Sequence, residues 1–123
     1  MSLSGIGGIS DGVTRALHVA INGLDARQQA LSANIANVET AGYLAEEVDF
    51  EDSLRQALTQ GDATRATIQH SHSLAATRLN GNNVNVDFEL LASSENVLRQ
   101  KLVVQAINNK YQLLRTAMGN AAQ

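Results

Sequence analysis

The sequence predicts a mainly α-helical protein, with a long N-terminal helix lying against a long C-terminal one. Between them it predicts a short helix within an irregular, partly extended middle segment. Three observations support this. Apolar residues in the first third recur at alternating steps of four and three. The last third is a second long periodic run. Proline is absent from all 123 residues, so neither run is interrupted by one. Aromatic residues make up only 3% of the chain, with no tryptophan. Leu, Ile, Val and Ala must therefore fill the contacts, as they do where helices lie side by side.

Residues 1–10, rich in Gly and Ser, read as a flexible N-terminal segment. Ser10 or Asp11 then offers a helix N-cap. From there Leu17, Ile21, Leu24, Gln28, Leu31, Ile35 and Val38 form a seven-residue repeat whose only polar member is Gln28. Ala26, Ala30 and Ala33 beside the stripe let a second helix approach closely. A helix over 11–38 is about 40 Å long. That is too long for the interior of so small a globule, so it reads as one half of a helical pair. Gly42 can adopt a left-handed conformation and terminate it. Residues 39–86 hold a turn, a short helix and an irregular remainder. Asp49 offers a cap for the short helix, which carries Phe50, Leu54, Ala57 and Leu58. Glu51 and Asp52 fall in its first turn, where the helix dipole favours acids, and Gly61 closes it. Residues 61–80 have no sustained period and read as a loop with a weak strand at 67–72. "NGNNVNV" at 80–86 is turn chemistry followed by short alternation.

The C-terminal helix is predicted over 87–118, followed by a tail at 119–123. It carries two apolar faces. One is Leu91, Leu98, Leu102, Ala106 and Leu113; the other is Val97, Val103, Val104, Ile107, Tyr111, Leu114 and Met118. The N-terminal helix can cover one side only, so the remainder points to other subunits.

Net charge is −3, which argues against a general nucleic-acid binder. Cysteine is absent, which excludes disulfides, thiolate metal sites and Cys nucleophiles. No apolar run approaches the roughly 20 residues that span a bilayer. "MSLSGIGGIS" lacks the basic and apolar regions of a secretory leader. Neither membrane insertion nor a cleaved signal peptide is expected. His70 and His72 fall on one side of the weak strand without an evident third ligand. "GIGG" lacks the spacing of a nucleotide loop. No catalytic, cofactor-binding or metal residue is assigned. Glu39, Glu46, Glu47, Asp49, Glu51 and Asp52 form an acidic block, whereas Arg99, Lys101, Lys110 and Arg115 follow residue 96 without an acid. This pattern reads either as solvated surface with dipole matching or as complementarity between neighbouring copies.

Asn34 and Asn37 lie three residues apart on one helical face, among alanines, one turn before the helix ends. Either they sit in a fraying end and bond to water, or their amides bond across the helix pair or onto the turn at 39–43.

The stretch "LSANIANVETAGY" at 31–43 resembles the N-terminal signature of the bacterial flagellar axial proteins of rod and hook. The longer stretches 26–58 and 81–118 are similar to the proximal-rod family within that group. One position departs from the pattern. The family usually has proline where this chain has Ala41, in Thr40-Ala41-Gly42-Tyr43, which leaves the turn less pre-organised.

The resemblance implies a structural protein and not an enzyme, without a cofactor. Its terminal helices would pair as a coiled coil and stack around an axial channel as the inner layer of a tube. Asn34, Asn37, Thr40, Gly42 and Tyr43 would hold the register. Leu17, Ile21, Leu24, Leu31, Ile35, Leu98, Leu102, Val103, Ile107 and Leu114 would form the helix-packing interfaces. The terminal helices would order fully only on docking. Implied partners are other copies of the chain, other rod proteins, the small basal-body adaptor FliE and the inner-membrane ring. Export to the periplasmic rod would use the flagellar type III apparatus, with Phe50 and Leu54 of "FEDSL" as a candidate export element. A rival reading is a self-contained helical-hairpin adaptor or secreted effector. It gains if Val103, Ile107 and Leu114 pack inside the chain. A small enzyme or metal protein is a third reading, and it would need zinc held by His70 and His72.

Overall fold

The computed structural model describes the backbone of residues 3–121 and, within them, the side chains of residues 12–119. Residues 1, 2, 122 and 123, which belong to the expected N-terminal segment and tail, lie outside the described residues. In chain order the elements are α1 (Leu3–Ala36), β1 (Glu46–Asp49), α2 (Glu51–Thr59), a 3-10 turn (Ala63–Arg65), β2 (Gln69–His72) and α3 (Val86–Ala121). The chain is mainly helical, as expected, with one small sheet.

α1 and α3 lie side by side and antiparallel. Polar contacts join Gln28 to Ser93, Leu24 to Asn96, Asp25 to Gln100 and His18 to Tyr111. Position on one helix falls as it rises on the other. β1 and β2 pair antiparallel, from Glu46 opposite His72 to Asp49 opposite Gln69. β1, α2 and the 3-10 turn all rest on α1. The core therefore gathers around the second half of α1. Leu24, Ala30 and Leu31 are buried there with Val48, Phe50, Ala57 and Ala63.

Several boundaries differ from expectation. The backbone is helical from Leu3, so Ser10 and Asp11 lie within α1 and do not cap it. Upstream the seven-residue spacing falls on Leu3, Gly7, Ser10 and Thr14, so only Leu3 continues the apolar stripe. The glycines at 5, 7 and 8 each cost about 1 kcal/mol relative to alanine, which weakens a helix without forbidding it. α1 ends at Ala36, two residues early. Val38 N–H reaches back only to Ile35 O, and the Asn37 side chain donates to Ala33 O at 2.8 Å. Asp49 does not cap α2. It is the last residue of β1, and the N-cap is Phe50, without a side-chain cap bond. α3 runs on through residues 119–121, beyond its expected end.

Candidate assembly site

The structure gives Asn34 and Asn37 different tasks. Asn34 is fully buried. Its Oδ1 accepts from Glu46 N–H at 2.8 Å and from the Tyr43 hydroxyl at 3.2 Å. Its Nδ2 donates to Glu46 O at 2.9 Å and to Glu89 Oε2 at 3.1 Å. The amide thus meets the turn, the first strand and the second long helix at once. The need arises from β1. Its ladder partner bonds Ala45 O through Ser73 N–H at 2.7 Å, so the backbone groups of Glu46 and Val48 face the opposite way. Buried backbone groups must find partners. Asn34 takes both groups of Glu46. Arg27, seven residues earlier on α1, donates to Val48 O from Nε at 3.1 Å and Nη2 at 2.8 Å.

Asn37 acts locally. Its Oδ1 accepts from the Thr40 hydroxyl at 3.0 Å. The long-range bonds at this turn come instead from the "NGNN" turn. Asn82, also fully buried, donates to Asn37 O at 2.9 Å and to Thr40 O at 2.8 Å. Asn83 Oδ1 accepts from Ala45 N–H at 2.7 Å. Arg78 donates to Val38 O at 2.6 Å and to Val84 O at 2.7 Å. Gly42 and Gly81 have φ of 75° and 81°, and a Cβ on Gly81 would lie 3.3 Å from Gly42 Cα. The two turns lie backbone to backbone. The 40–43 turn closes with Tyr43 N–H on Thr40 O at 3.2 Å. A positive φ at its third residue is the type II pattern, which favours proline at the second. Ala41 does not prolong the helix. Ala41→Pro is therefore expected to raise stability by about 0.4–1 kcal/mol, mainly by restricting the unfolded chain. A urea-unfolding midpoint checks this.

The helix pair is held by a polar seam. On the α1-facing side of α3, Glu89, Ser93, Asn96 and Gln100 recur at steps of four and three, and Val103 and Ile107 continue the series. Gln28, the one polar member of the α1 stripe, donates to Ser93 Oγ at 2.8 Å and accepts from Asn96 at 3.1 Å. Leu24 and Leu31 are buried, while Leu17, Ile21, Ile35, Val103, Ile107 and Leu114 are half-buried. Leu98 and Leu102 do not join this interface. They are 59% and 58% exposed and lie on the far side of α3 with Leu91 and Leu113. The register set by the polar seam turns them outward.

Phe50 is buried beneath Gly23, with the Arg27 guanidinium 5.0 Å from its ring centroid. Leu54, its expected companion, is half-buried. Arg27 also forms an ion pair with Glu51, which holds the Glu51 carboxyl down to about 2 from its ordinary 4.5. A carboxyl lowered on folding stabilises the fold above its unfolded value, and that contribution fades as pH falls from about 4.5 to about 2. Because Glu51 is 44% exposed, screening limits the contribution to about 1 kcal/mol. Glu51→Gln should remove this part of the acid slope in urea midpoints taken across that range. Burial acts in the opposite sense on Glu89 and pushes its carboxyl up, offset partly by the bond from Asn34 and helped by the charge of Glu47. His70 Nδ1 lies 3.0 Å from Glu46 Oε1. Among the described residues no group of three side chains is placed to hold a metal ion.

Residues 17–43, which carry the α1 stripe, Asn34 and the turn to Tyr43, match a family described as flagella basal body rod protein. The flagellar basal body rod protein FlgB of Escherichia coli (strain K12) is 30% identical over 121 residues, covering 81% of this chain and 88% of that protein. The chain belongs to the FlgB family. FlgB of Bacillus subtilis (strain 168) is 28% identical over 120 residues, covering 87% of this chain and 93% of its own length. FlgB of Yersinia ruckeri is 40% identical over 68 residues, covering 55% and 48%. The FlgB family is one of structural rod proteins of the flagellar basal body. The segment matched by the family ends at Tyr43, the residue whose hydroxyl closes on Asn34. Arg27, Asn82, Asn83 and Glu89 are the partners that the sequence reading left out. The second Asn pair, in the 80–86 turn, was the available signal. No helix among the described residues is long and apolar enough to cross a membrane.

Proposed function

We propose that this chain is a subunit of the proximal rod, and that α1 and α3 act as a coiled-coil pair whose outer face is covered by neighbouring copies and other rod proteins. The observation that carries this is the outer side of α3. Leu91, Leu98, Leu102 and Leu113 form an exposed apolar stripe there, about 33 Å long at helical rise. A stripe of this extent on a lone chain is a contact surface. Covering four of its leucines contributes on the order of 5 kcal/mol, allowing for the part already shielded. That gain offsets the entropy of ordering the terminal helices. The junction at Asn34 supports the reading, because it ties both helices and the turn into one register. A repeating tube needs that uniformity. Contacts with FliE and the inner-membrane ring belong to the same proposal. So does export through the type III apparatus, in which Phe50 and Leu54 would be read before folding hides the phenylalanine.

One observation favours the rival hairpin adaptor: Val103, Ile107 and Leu114 lie on the α1-facing side of the chain itself. Two variants separate the readings. Leu98→Asp with Leu102→Asp is expected to leave helical content unchanged by circular dichroism and to block incorporation into rods and motility. Ile107→Asp is expected to unfold the helix pair, by about 2–4 kcal/mol. Normal motility in the Leu98/Leu102 variant would overturn the rod-face reading and leave the adaptor.

A further inference from the structure

The charges of the chain are segregated along its length. Residues 25–99 hold eleven acids and five bases, and the remainder holds one acid and four bases. Because α1 and α3 are antiparallel, the last third of α3 lies beside the first half of α1, as the contact of His18 with Tyr111 shows. The molecule therefore has an acidic pole at the strand end and a basic pole at the other. At the acidic pole a groove of about 630 Å³ opens between β1, α1 and the start of α3. Its floor is apolar, with Ala30, Leu31 and Val48, and Phe88 stands among its walls. Glu47, Glu89 and Glu95 are among its acids, and Arg27, one of its two bases, is engaged by Glu51 and Val48 O.

Asn96 lines the same groove and is 2% exposed. Its Nδ2 donates to Leu24 O at 2.8 Å and to Gln28 Oε1 at 3.1 Å. Both partners are acceptors, which fixes the amide orientation. Oδ1 is then left buried without a hydrogen bond. A buried acceptor of this kind calls for a donor. A long basic side chain fits the whole arrangement, with its aliphatic stem on the alanine and leucine floor and its N–H groups toward Asn96 and the glutamates.

We propose that the groove is a head-to-tail contact, filled by a basic side chain from the last third of α3, Lys110 or Arg115, of a second copy. This deepens the rod reading and rests on it. The chain's own Lys110 and Arg115 cannot do it, and its Arg99, the groove's other base, leaves Asn96 Oδ1 unbonded. Arg115 lies nineteen positions beyond Asn96 on one helix, about 28 Å away along the axis. A contact between unlike surfaces of identical copies propagates, which a tubular stack requires and a two-fold dimer does not supply.

The full-length chain tests this by sedimentation velocity. Wild type is expected to associate at low salt and to dissociate as salt rises. Glu47→Lys with Glu95→Lys, both exposed, should weaken association by about tenfold or more, as should Lys110→Glu with Arg115→Glu. Mixing the two variants should restore it, because the intact acidic groove of one meets the intact basic tail of the other, and the reversed groove meets the reversed tail. Circular dichroism confirms that each variant keeps its helices. A mixture no stronger than its components, variants that associate like wild type, or a wild-type chain that never associates would each overturn the proposal. Leu98→Asp with Leu102→Asp should retain the salt-sensitive association. If that variant associates and also enters rods, the outer-stripe reading fails while the groove contact stands.

Discussion

Replacing Asn34 with aspartate is expected to destabilise the chain more than replacing it with alanine at neutral pH, and less in mild acid. Alanine removes four hydrogen bonds. It leaves both backbone groups of Glu46 and the Tyr43 hydroxyl without their partner in a closed junction. At about 1 kcal/mol per net bond, and more for buried groups left unpaired, the expected loss is about 3–5 kcal/mol. Aspartate keeps the two acceptor bonds from Glu46 N–H and Tyr43. It turns an oxygen toward Glu46 O and toward the Glu89 carboxylate, where the amide nitrogen donated. Two carboxyls in one buried site cannot both ionise cheaply, and a shared proton restores a donor. Glu89 is already pushed up by burial, so the proton is taken readily. Urea unfolding of both variants at about pH 7 and about pH 5 checks the crossover. The same rank at both values would mean that Glu89 is not coupled to this position.

The second large effect is Gly23→Ala. On an exposed helix the change gains about 1 kcal/mol. Here the new Cβ falls inside contact distance of the Phe50 ring, near its base and not at a free tip. Phe50 is 4% exposed and the Arg27 guanidinium also lies over its ring, so it has little room to withdraw. Overpacking of this kind costs about 1–3 kcal/mol beyond the lost gain. A double-mutant cycle with Phe50→Leu reads the coupling. In the leucine background the alanine should become neutral or stabilising. An alanine equally harmful in both backgrounds would place the strain elsewhere.

The legible and illegible parts of the fold divide along physical lines. The α1 stripe was readable because its members are apolar at six of seven positions, and solvent exclusion writes itself as periodicity. The inward side of α3 carries the same spacing, at Glu89, Ser93, Asn96, Gln100, Val103 and Ile107. Four of these are polar, so a search for apolar faces passes over them and selects Leu98 and Leu102. Asn34 was conspicuous as a costly amide among alanines, but its main partner was not foreseeable. The free backbone groups of Glu46 exist only once β1 has paired with β2, and that pairing joins residues twenty or more positions apart. Phe50 shows a further limit. A five-residue pattern suggested an export element, whereas its fit against Gly23 depends on a contact that no local window contains.

Arg27 and Asn34 reach from a helix to occupy the side of β1 that β2 leaves open. A strand edge left bare is a template, and molecules crowded at a growing tip would add to it in the manner of amyloid. Side chains anchored on α1 close that route for β1 before any neighbour arrives. Growth through β1 is thereby quenched, and order in the filament is left to surfaces that can count turns.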